Sequence, residues 1–107
     1  MTRQRPANRR SHETIEHDRQ RYKIGLGRDF RNGQFGPVIE VFLNAQQVNS
    51  QIDVLAGDGA ILMSLLLQHG CPPEVIAHAM KRNPDGSPAS PLGRAAAYLI
   101  ERGNDVG

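Results

Sequence analysis

The chain reads as an α+β domain, a small antiparallel sheet packed on a long central helix with two shorter helices after it. Three observations predict this. RYKIGLGRDFRNGQFGPVIEVFLN is a strand, a turn dipeptide and a second strand. SQIDVLAGDGAILMSLLLQHG, residues 50–70, is a helix-length apolar segment with a capped start and a glycine stop. Beyond it, two shorter segments each open with proline, which suits a first helical turn whose amides lack partners. The order expected is ββ(β)ααα, with residues 1–12 as a basic flexible arm and 13–107 as a single domain.

Residues 1–11 combine Arg, Pro, Asn and Ser without periodicity and are expected to be extended. Ile15 lies between polar neighbours in HETIEHDRQ, which marks a short edge strand ending near Asp18. Tyr22, Ile24 and Leu26 then alternate with polar or small residues, as a half-buried strand requires. Asn32-Gly33 predicts a hairpin tip, because both central residues of a type I′ turn need positive φ. VIEVFLN is its return strand, and Gly36-Pro37 marks a bulge or a delayed start, since proline donates nothing to the ladder.

In the central helix Ser50 can accept from the amide of Asp53, while Asp53 reaches back to complete a capping box. Gly57 and Gly59 each cost roughly 1 kcal/mol against Ala in a helix interior, so another backbone or a ligand is expected close to them. Gly70 ends the helix. Cys71-Pro72-Pro73 redirects the chain into PEVIAHAM, where Val75, Ile76 and Ala79 share a face. KRNPDGSPAS is a connection with a turn at Asn83 to Gly86. Ser90 caps and Pro91 opens a last helix that runs to Gly103.

Size and charge bound the function. The 107 residues include no Trp, two Tyr and three Phe, so the core must be mainly aliphatic. Residues 1–31 hold nine Arg or Lys against four acids, whereas residues 32–107 hold four against seven. A basic arm therefore sits on a mildly acidic body, which admits an anionic partner or a solvated tail. One cysteine rules out an internal disulfide and fits a reducing compartment. The apolar run is broken at Ser64, well short of the roughly 20 residues of a spanning helix, and no apolar stretch follows the N-terminal charges, so a cytoplasmic protein without a membrane partner is expected.

Beyond this composition, the chain resembles the TSCPD domain family, found near the C-terminus of some ribonucleotide reductases, particularly cobalamin-dependent ones, and as small stand-alone bacterial and phage proteins. The likeness runs from about Arg5 to Glu101. It rests on RPANRR, on the strand-turn-strand segment, on VNSQIDVLAGDGAILMSLLLQHGCPPEVI, its most specific part, and on NPDGSPASPLGRAAAYLIE. The motif that names the family falls near Ser90-Pro91-Leu92, without its cysteine or its aspartate. Reductase chemistry needs a radical cysteine and a reducing pair, which one cysteine cannot supply.

The resemblance implies a non-catalytic accessory or nucleotide-binding module of nucleotide metabolism, able to support a ribonucleotide reductase in trans. Two alternatives stand beside it: a phage-type counter-defence sponge that holds a signalling nucleotide between subunits, and a structural protein–protein interaction module. The residues fit no enzyme and no cofactor. Cys71, near a helix start, is either a reactive thiol or a small buried hydrophobe. His12, His17, His69 and His78 match no zinc spacing. Asp53 and Asp58, five apart, lie on different helix faces and make no acid–base pair.

The candidate binding set is Arg9, Arg10, Arg28 and Arg31, because Arg forks onto two phosphate oxygens and stays charged. Asp58, between the two helix glycines, can receive an arginine or a ligand amine. Tyr22 or Phe30 could stack a base. No helix-turn-helix, zinc finger or aromatic platform supports specific DNA reading. AILMSLLL is apolar around more of the helix than a small sheet can cover, so a homo-oligomer is expected.

Overall fold

The computed structural model describes residues 10–31, 33–46 and 50–103. Its elements follow the order β1 (Arg10–His17), β2 (Gln20–Arg31), β3 (Gln34–Ala45), α1 (Gln51–Gln68), α2 (Pro73–Ala79) and α3 (Pro91–Gly103). The strands form one antiparallel sheet in the order β1-β2-β3. The α+β class and the strand-turn-strand meander are as the sequence predicts. The domain boundary differs: Arg10 to His12, expected in the arm, begin β1, because the long β2 offers them partners as far as Gly27.

Both hairpins turn on two residues. At the second, Arg31 pairs with Gln34, and Gly33 has φ +75°, the conformation an Asn-Gly turn requires; Asn32 itself lies outside the described residues. At the first, Asp18 and Arg19 have φ of 49° and 66° between paired His17 and Gln20. That is a type I′ geometry without a glycine, and Arg19 is an unfavourable occupant of the left-handed region. The ladder between β2 and β3 shifts register between Gly27 and Arg28 and again between Arg28 and Phe30. The second shift falls at Gly36-Pro37, so the bulge reading of that pair holds.

Tyr22, Ile24 and Leu26 point to the same face of the sheet as Val41, Leu43 and Ala45 across from them, with Ile15 beside them on β1. This face is buried under Ala95, Ala96 and Leu99 of α3 and under Ala56, Ala60, Met63 and Leu67 of α1. Helix α1 packs against β3 along that strand's open edge. The Ser64 hydroxyl accepts from Val41 N at 2.8 Å and has Val41 O at 3.0 Å and Ala60 O at 2.8 Å within reach of its single proton. Gln68 Nε2 donates to Ile39 O at 3.1 Å, and Ala45 N donates to Asp53 Oδ1 at 2.9 Å. An edge strand exposes a row of unpaired backbone groups, and here the helix satisfies them.

The Ser50 cap and the Gly70 stop are as expected. Ser50 Oγ accepts from Asp53 N at 3.2 Å, but the Asp53 carboxylate also ties the helix start to the end of β3. At the other end Gly70, with φ +91°, and Cys71 send their amides back to Leu67 O and Leu66 O, a Schellman motif. Gly86 N bonds to Asn83 O in the connection, and Ser90 Oγ accepts from Gly93 N to cap α3. By length and composition α1 is long and apolar enough to cross a membrane, contrary to the expectation from the break at Ser64; that serine is turned to β3.

Candidate functional site

Helix α1 has two apolar faces, and the sheet covers only one. Ala56, Ala60, Met63, Ser64, Leu67 and Gln68 are buried. On the opposite face Val54, Leu55, Ile61, Leu62, Leu65 and Leu66 are exposed, Leu55 and Leu62 by 61% and 62%. Their spacing of three and four residues joins them into one stripe along the helix. Contiguous exposed apolar surface on this scale marks an interaction site rather than ordinary surface composition. Two polar side chains lie in the stripe, exposed Asp58 midway and exposed His69 at the C-terminal end, where Leu62, Leu65, Leu66 and His69 line a shallow groove. Exposed Val75 of α2 follows shortly after.

The two glycines of α1 stand in different surroundings. A Cβ on Gly57 would lie 4.0 Å from Leu43 O, so that position faces the β3 backbone. A Cβ on Gly59 would stand 2.7 Å from a methyl of Leu92 on α3. The close approach inferred from the glycines is therefore made by the protein itself at Gly59, to a leucine side chain, whereas Gly57 has room for a methyl group.

The arginine set is dispersed in role. Arg28 donates to Gly36 O at 3.2 Å and to Arg102 O at 2.7 Å, fastening the C-terminal turn of α3 to the bulged end of the hairpin. Arg10 lies opposite Gly27, and Arg31 stands at the second hairpin tip. Arg9 is outside the described residues. Asp58 is exposed on the outward face of α1. Lys81 and Arg82 line a cleft with Ala77, Met80 and Pro88, and exposed Arg21 and Lys23 line another with Thr14, Asn44, Gln46 and Asp53. The sequence carries the signal for them in the alternation Arg21-Tyr22-Lys23, which turns both away from buried Tyr22.

Other chemistry is sparse. Cys71 is partly buried against the core, and among the described residues no group of three His, Cys, Asp or Glu side chains could hold a metal ion. The Glu13 carboxylate bonds Arg102 at 2.8 Å. The neighbouring Tyr98 hydroxyl is buried outside hydrogen-bonding geometry, and burial first, then proximity to Glu13, pushes its pKa up to about 12. Burial, with Asp18, also raises that of Tyr22. These shifts follow from packing in the core. Comparison with family models, curated proteins and solved structures finds no match.

Proposed function

We propose that this protein is a non-catalytic module that works as a homo-oligomer assembled on α1. The observation that carries the reading is the exposed stripe from Val54 to Leu66, on a helix whose own polar side chains Asp53, Ser64 and Gln68 are already bonded to β3. Fully burying a leucine-sized side chain is worth about 1.5–3 kcal/mol, so six half-exposed ones offer enough to offset the cost of association. The TSCPD resemblance favours a role in nucleotide metabolism for such a module, as a nucleotide-binding or reductase-supporting accessory.

The exposed cations Arg21 and Lys23 favour a phosphate-bearing ligand as the second half of this reading, with Thr14, Asn44 and Gln46 beside them and Asp53, engaged by Ala45 N, also lining the cleft. Arg28, held by two carbonyls, serves the fold first. A sponge that holds a signalling nucleotide between subunits needs the same assembly and differs only in its ligand. Native mass spectrometry of the purified protein reads assembly and retained ligand together. A dimer or larger oligomer that keeps a nucleotide, and loses it in Arg21→Ala/Lys23→Ala, supports both halves. An oligomer that binds no mono-, di- or cyclic nucleotide at low salt leaves the structural interaction module; a bare monomer removes the reading.

A further inference from the structure

The exposed stripe of α1 has an internal order. Gln51, Leu55, Asp58, Leu62, Leu65 and His69 succeed one another at spacings of four, three, four, three and four residues, the seam of a heptad repeat. Val54, Ile61 and Leu66 flank this seam and are exposed with it. The seam is also its own complement when reversed. About a point between residues 63 and 64, Leu62 exchanges with Leu65, and Asp58 exchanges with His69.

We infer that α1 packs antiparallel against α1 of a second copy, around a two-fold axis between residues 63 and 64, with Asp58 of each chain against His69 of the partner subunit. This rests on the reading that α1 is the assembly surface, and adds the occupant and its register. The occupant is a second copy because the stripe carries one carboxylate and one imidazole at mirrored positions, so a two-fold pairing satisfies both twice. An apolar partner or a lipid surface would leave the carboxylate without a donor in an apolar contact, which is costly. An imidazole N–H supplies that donor in either protonation state.

The parallel arrangement is disfavoured by the same residues. It would set Asp58 against Asp58, two carboxylates sharing one desolvated layer. Polar layers in an otherwise apolar seam are a known means of fixing register and orientation, which gives Asp58, between Leu55 and Leu62 on the seam, a role. The pairing must be between chains. Asp58 and His69 are eleven residues apart on one helix, about 16 Å along its axis, too far to meet within a chain.

Charge exchange tests this in the full chain, with the dissociation constant read by sedimentation at neutral pH. Both positions are exposed, so the variants should fold as the wild type does, and circular dichroism checks it. His69→Glu should weaken the dimer about tenfold or more, by facing two acids in each layer. Asp58→Lys/His69→Glu should recover most of that loss, because each layer again holds opposite charges. A wild-type dimer whose loss in His69→Glu is not recovered by the second change overturns this register while leaving assembly on α1 intact. A wild-type chain that stays monomeric overturns both, and a monomer that instead floats with neutral or anionic lipid vesicles assigns the stripe to a membrane surface.

Discussion

At residue scale the two hairpin tips predict effects of opposite sign. Gly33 has open space around the position of a Cβ but a φ of +75°, so Gly33→Val is strained by its backbone alone and should lower stability. Arg19, at φ 66°, already bears a strain of this kind, and Arg19→Gly should raise stability by roughly 0.5–1 kcal/mol, a few degrees in Tm. Thermal unfolding at one fixed protein concentration reads both; a loss on Arg19→Gly would contradict the turn geometry. Tyr98 gives a pH dependence. Its folded pKa, raised to about 12, lies above the unfolded value near 10, so its contribution is complete below pH 10 and is lost as pH rises toward 12. Tyr98→Phe should flatten that alkaline decline in denaturant unfolding, leaving a smaller part due to Tyr22. An unchanged alkaline slope would mean that the hydroxyl is not buried.

At the scale of the element, α1 is held by three polar side chains on a strand edge, and its two glycines stand in different surroundings. Gly57→Ala meets only Leu43 O at ordinary contact distance and should gain the helix propensity of alanine, about 1 kcal/mol. Gly59→Ala drives a methyl into Leu92, and should lose that gain or reverse it until Leu92→Ala removes the obstruction. Urea midpoints of the three variants check this, and equal shifts for the two glycines would contradict the packing of α3 on α1. Ser50, Gly70, Asn83 to Gly86 and Ser90-Pro91 were legible in the sequence, because each acts within a few residues of itself. Asp53, Ser64 and Gln68 were not legible as edge-strand partners. Their role requires knowing that α1 runs along β3, with Val41 lying 23 residues before Ser64. The structural role of Arg28 is hidden for the same reason, since its carbonyl partner Arg102 is 74 residues away and nothing local separates it from a phosphate-binding arginine. Asp18-Arg19 carries no turn signal of its own because arginine has no preference for positive φ.

At the scale of the whole molecule, a three-stranded sheet with one covered edge and one buried face leaves the outer face of α1 as the principal apolar surface among the described residues. The excess of apolar residues on α1 is visible in the sequence; which of them face outward depends on Ser64 and Gln68 turning toward β3, which fixes the helix rotation. The central claim is that this outer face joins copies of the chain. Sedimentation equilibrium over a micromolar concentration series, with wild type beside Leu62→Glu, tests it most directly. Leu62 is 62% exposed, so the substitution leaves the fold intact while placing a charge at the centre of the stripe. The account predicts a wild-type mass of at least twice 11.8 kDa and a Leu62→Glu chain that falls toward 11.8 kDa. A wild-type mass of 11.8 kDa throughout, or the same oligomer in both proteins, would contradict it.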